Sequence, residues 1–123
     1  MAKNILVIDD DGLVSKSLCA LLHSKGFYAD ALDNGFDAIE KVEEEHLDLI
    51  VVDIRMPLID GVQTVKQIKE VLKAKHRKDI PVIFITGYAD SELNEQAKEL
   101  GEVIFKPFDN DDIMECIRDY LKE

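Results

Sequence analysis

Three observations predict an α/β fold: a single doubly wound, five-stranded parallel sheet with five helices. Five short apolar runs recur along the 123 residues: NILVI (4–8), YADAL (28–32), LDLIVV (47–52), PVIFI (81–85) and EVIF (102–105). Each is followed by a stretch whose apolar residues repeat with helical spacing. Four of the runs are rich in Val, Ile and Phe without internal Pro or Gly, the pattern of strands buried on both faces. Strands alternating with helices call for a parallel sheet covered on both sides. Right-handed crossovers restrict the strand order, and the common small five-stranded solution is 2-1-3-4-5.

After NILVI, Leu13, Val14, Leu18, Leu21 and Leu22 form an apolar helical stripe, with Gly26 as its C-cap. YADAL is the least apolar run and is expected near an edge. The second stripe is Phe36, Ile39 and Val42; the third is Val62, Val65, Ile68 and Leu72, with Val71. Leu93, Ala97 and Leu100 form the fourth, ended by Gly101, and Ile113, Met114, Ile117 and Leu121 the last. No repeat, linker or low-complexity stretch divides the chain, so residues 1–123 read as one domain.

Composition narrows the function. With 46% hydrophobic and 33% charged residues the chain is globular and not disordered. No apolar run is long enough to span a bilayer. MAKNILVIDD has too few apolar residues for a secretory signal, which predicts a cytoplasmic protein with no membrane partner. A net charge of −11 predicts no direct nucleic-acid partner, because phosphates would be repelled. Cys19 and Cys116 stand 97 positions apart without a CxxC pattern, and His23, His46 and His76 have no ligand spacing. Both sets read as ordinary structural residues. The basic run KAKHRK (73–78) follows the third helix, where cations suit the helix C-terminus.

In open α/β sheets, ligands bind beyond the carboxyl ends of the strands, near the switch point between strands 1 and 3. The first strand runs into Asp9-Asp10-Asp11, the third into Asp53, the fourth into Thr86-Gly87 and the fifth into Lys106-Pro107. Each has an ordinary account: helix caps for Asp9 to Asp11 and Thr86, a turn for Asp53, a solvated charge for Lys106. Their convergence on one edge of one sheet is what points to a site. Two carboxylates at about 4 Å repel by about 4 kcal/mol at an effective dielectric near 20, so the cluster must take up protons or hold a cation. Oxygen ligands with no His or Cys among them suit Mg²⁺ rather than zinc.

Four segments, ILVIDDD, DLIVVDIRMPLIDG, VIFITG and IFKPF, in this order, resemble the receiver domain of bacterial two-component response regulators, a flavodoxin-like fold. The resemblance covers the whole chain. It implies that Asp53 accepts a phosphoryl group from a phosphohistidine of a sensor histidine kinase or phosphotransfer protein. It implies that Asp9, Asp10, Asp53 and the backbone carbonyl of Arg55 hold Mg²⁺, with a lesser role for Asp11. It implies that Thr86 hydrogen-bonds one phosphoryl oxygen, that Lys106 pairs with another, and that the Lys106–Pro107 bond is cis. The expected function is signal transduction through a switched partner-binding surface. The protein is then no turnover enzyme, but catalyses its own phosphorylation and dephosphorylation. The output partner or attached output domain is unknown, and homodimerisation on phosphorylation is a further implication. Phosphoryl transfer asks mainly for positioning and charge neutralisation, which this residue set suits. Pro57, Asp60 and Gly61 are expected to shape the following loop, with Gly61 taking a backbone conformation other residues avoid.

Two features depart from the family pattern. Val103 stands where such domains commonly carry a switching aromatic, and the segment from Gly101 to Lys106 is shorter than usual. Phe105, on the same strand face by period two, is positioned to supply the aromatic instead. A flavodoxin-type carrier would want a Ser/Thr/Gly-rich phosphate cradle where this chain has DDDG. An aspartyl phosphatase would want an acid where Arg55 stands. The alternative that keeps its force is a protein-interaction module of the same fold that works without phosphorylation.

Overall fold

The computed structural model describes residues 2–89 and 92–122. Among the described residues five strands and five helices alternate strictly: β1 (Asn4–Ile8), α1 (Gly12–Ser24), β2 (Tyr28–Leu32), α2 (Gly35–Glu44), β3 (Leu49–Asp53), α3 (Gly61–Ala74), β4 (Val82–Thr86), α4 (Glu92–Leu100), β5 (Glu102–Phe105) and α5 (Asn110–Leu121). All strand pairs are parallel and the order is β2-β1-β3-β4-β5, as the sequence predicts. YADAL is indeed an edge strand, with Tyr28, Asp30 and Ala31 exposed. Two strands end later than their apolar runs. The ladder pairs Asp53 with Ile85 and Thr86 with Phe105, which takes both polar residues into the sheet.

Because side chains alternate across a strand, each central strand feeds two cores. Leu6, Ile8, Ile50, Val52, Val82 and Phe84 pack with α2, α3 and α4; Ile5, Val7, Leu49, Val51, Ile83 and Ile85 pack with α1 and α5. The expected stripes supply most of the covering residues. Leu13 and Phe36 do not: Leu13 is 78% exposed and Phe36 53%. Both sit in the first turn of their helices.

The helix ends follow their local chemistry. Asp11, Asn34, Asp60 and Asp109 cap α1, α2, α3 and α5 by accepting backbone N–H groups. Gly26, with φ of +90°, closes α1 in a Schellman turn, its N–H on His23 O and that of Phe27 on Leu22 O. The same turn ends α3, with His76 in the left-handed position at φ +54°. That explains part of the basic run. Arg77, next in the chain, turns its guanidinium back onto Val42 O at 2.6 Å and Glu45 O at 2.9 Å, satisfying carbonyls at the end of α2.

One backbone expectation is corrected. In the loop after β3 the left-handed residue is Leu58, with φ of +73° and 86% exposure, not Gly61. Gly61 is required for closeness instead. A Cβ there would collide with the Asp53 carbonyl oxygen, as its N–H reaches Ile54 O at 2.8 Å.

Candidate functional site

The three acids of the Asp9-Asp10-Asp11 run divide their work. Asp11 faces α1 and is its cap, accepting from Leu13 N at 3.0 Å. Asp10 is exposed. Asp9 is fully buried and accepts the Asp11 N–H at 2.9 Å. Since β1 lies beside β3, Asp9 comes next to Asp53, which is itself buried at the end of β3. Asp9, Asp10 and Asp53 each bring a carboxylate oxygen within 4.8 Å of the other two.

Lys106 reaches into this group from the end of β5. Its N–H donates to Thr86 O at 2.7 Å, and the Lys106–Pro107 peptide bond is cis, as expected. The ammonium lies between two carboxylates, 3.1 Å from Asp9 Oδ2 and 3.2 Å from Asp53 Oδ2. Burial opposes the charge on Lys106, but Asp9 and Asp53 outweigh it and raise its pKa. One cation does not neutralise the site. Burial, and then the charge of Asp9, push the Asp53 carboxyl up to about 6 in spite of Lys106. This group of carboxylates is short of positive charge, and its all-oxygen donor set fits a hard divalent ion.

Thr86 is fully buried at the end of β4, and its hydroxyl oxygen accepts the Tyr88 N–H at 3.1 Å. Arg55 contributes its backbone N–H to Asp53 Oδ1 at 3.3 Å, while its side chain lies over the Tyr88 ring, 4.5 Å from the centroid. That cation–π contact links the loops after β3 and β4 at the rim of the site. Sequence reasoning missed Tyr88, because an aromatic in a loop carries no periodic signal. It also missed Asn94, a buried amide in α4. A signal existed there: a polar residue three places before buried Ala97 falls on the core side of the helix.

Val103 pairs with Phe84 and packs against the core. Phe105 pairs with Thr86 on the neighbouring strand and is 45% exposed. The thiols of Cys19 and Cys116 lie away on α1 and α5; burial raises both, Cys116 to about 11, so neither offers a thiolate. No described helix is long and apolar enough to cross a membrane.

This geometry can be set against known proteins. The chain is 30% identical to sporulation initiation phosphotransferase F of Bacillus subtilis (strain 168), covering 98% of this chain and 95% of that protein. It is 35% identical to the transcriptional regulatory protein ZraR of Klebsiella oxytoca, where the match covers 96% of this chain but spans about a quarter (26%) of that relative. The receiver domain of the sensor histidine kinase PA1611 from Pseudomonas aeruginosa PAO1, solved with a magnesium ion coordinated in its active-site cleft, shares the fold over the full length of both chains. The TM-score is 0.82 at 20% identity. The family model for the response regulator receiver domain matches residues 5–118. The chain belongs to the response regulator receiver domain family.

Proposed function

We propose that the protein is a phosphoacceptor in which Asp53 takes a phosphoryl group from a phosphohistidine of a sensor histidine kinase or phosphotransfer protein. The observation that carries this reading is the Lys106 ammonium held between the buried carboxylates of Asp9 and Asp53. A carboxylate is a weak nucleophile repelled by a phosphoryl anion, and a fixed ammonium beside it removes that obstacle. An Asp53 oxygen forms the new bond to phosphorus while the nitrogen–phosphorus bond of the donor breaks. The electron pair returns to the imidazole, which takes its proton from water. In the acyl phosphate Lys106 pairs with one phosphoryl oxygen, and the Thr86 hydroxyl donates to a second.

Asp9, Asp10, Asp53 and the Arg55 carbonyl would hold Mg²⁺, which when bound supplies the positive charge that Lys106 alone leaves lacking. Support for this comes from the carboxylate grouping, from the raised Asp53 and from the magnesium in the PA1611 receiver. The protein modifies itself and is no turnover enzyme. Its output passes to a partner or an attached domain, and dimerisation on phosphorylation belongs to the same reading. Phe105 beside Thr86 is the aromatic placed to report the change.

Incubation with acetyl phosphate, with and without Mg²⁺, is read by intact mass beside an Asp53→Asn control. A gain of one phosphoryl group that needs both Mg²⁺ and Asp53 is expected. Folded protein that gains nothing from any donor, phosphorylated kinase included, would be an interaction module independent of phosphorylation.

A further inference from the structure

Asn94 sits near the start of α4, 2% exposed. Burying a carboxamide is costly unless its polar atoms are bonded. Its Nδ2 group donates to Tyr88 O at 2.7 Å and to Ala89 O at 3.2 Å, two successive carbonyls of the loop that leaves β4. At its other end Tyr88 gives its N–H to the Thr86 hydroxyl oxygen at 3.1 Å, and its ring lies under Arg55. Tyr88 is therefore a joint with three tethers: one to Thr86, one to α4 and one to the loop that follows Asp53.

We propose that Asn94 is a positioning residue that couples the Thr86 hydroxyl to helix α4 through the backbone of Tyr88. A hydroxyl has one proton to give and one oxygen with two lone pairs, and its rotamer decides where both point. When Thr86 turns toward an anion on Asp53, its oxygen swings away from the Tyr88 N–H. The Tyr88 carbonyl still accepts from Asn94 Nδ2, so displacement of Tyr88 is delivered to the first turn of α4. This gives the domain a route from site to surface that needs no aromatic at Val103. The trigger rests on the phosphoacceptor reading, but the coupling does not and is tested without it.

The test is a ligand-free cycle of Thr86→Val and Asn94→Asp, alone and combined, read by backbone amide shifts and hydrogen exchange. Thr86→Val keeps the shape and removes the acceptor. Exchange at Tyr88 N–H should rise about tenfold, the loss of one net hydrogen bond. Amide shifts over residues 95–100 should move with it, and Thr86→Ser should restore them. On the Asn94→Asp background, where the donor is gone, the same Thr86→Val change should move those α4 amides by less than half as much. Equal displacement on both backgrounds overturns the proposal, because α4 would then sense Thr86 by another route. Should Asn94→Asp fail to fold, the Asn94 side-chain NH₂ resonances in the Thr86→Val single variant decide. A clear shift supports the coupling, and unmoved resonances overturn it. Phosphorylation by acetyl phosphate judges the phosphoacceptor reading separately.

Discussion

Replacing Asp53 with Asn should make the metal-free protein more stable, against the usual expectation for a functional residue. Asp53 has its carboxyl raised from 3.8 to about 6, first by burial and then by Asp9. Between those values the folded protein holds a proton that the unfolded chain has released. Stability is therefore fully present below about 3.8 and falls as pH rises through 6. Integrating that difference gives a cost of about 3 kcal/mol at pH 7.5 and roughly half of that at pH 5. Asn is isosteric and does not ionise, so the variant escapes this cost. The charged contact to Lys106 at 3.2 Å lowers the Asp53 value and is therefore already inside this figure, so the net gain at pH 7.5 is at most about 3 kcal/mol. At pH 5 the carboxyl is mostly protonated and has little charged contact to lose, so this pH dependence is itself part of the expected difference. Urea unfolding of both proteins in EDTA at pH 5 and 7.5 measures the quantity that matters. The advantage of the variant should widen by about 1–2 kcal/mol between the two. An advantage that stays constant or narrows would refute the argument that Asp53 is ionised against its surroundings.

Lys106→Ala leaves Asp9 and Asp53 facing each other without their shared ammonium. Denaturant unfolding in EDTA should show a loss of about 2–4 kcal/mol, partly recovered by millimolar Mg²⁺. Asp10→Asn changes an exposed acid and should leave metal-free stability within about 0.5 kcal/mol of the parent. Calorimetric titration should nonetheless find Mg²⁺ bound more weakly, and unchanged affinity would remove Asp10 from the ligand set. His76→Gly relieves a left-handed backbone position at φ +54° on an exposed turn, and should raise stability by about 0.5–1 kcal/mol in a thermal melt. Gly61→Ala drives a methyl group into the Asp53 carbonyl, and should cost more than 1 kcal/mol and reduce acetyl phosphate labelling together.

Much of this was legible in one dimension. Alternating apolar runs and helical stripes depend on local spacing, and strand order follows from the handedness of crossovers, so fold class and topology could be read before any coordinate. The four acid, hydroxyl and ammonium positions could be placed on one edge for the same reason, since a parallel sheet puts every strand's carboxyl end on one side. What the sequence could not determine depended on neighbours remote along the chain. Asp9, Asp10 and Asp11 are identical as residues. Only the packing of β1 against β3 and the start of α1 made one buried, one exposed and one a cap. Gly61 looked like a glycine needed for its backbone angles, but the approach of the Asp53 carbonyl set its identity, and Leu58 took the strained angle instead. Tyr88 and Asn94 are joined by hydrogen bonds that follow β4, and no periodic pattern in the sequence marks such bonds. Local pattern decides which segments become strands and helices. Distance and burial decide which of their polar groups meet, and a group's charge state depends on what it meets.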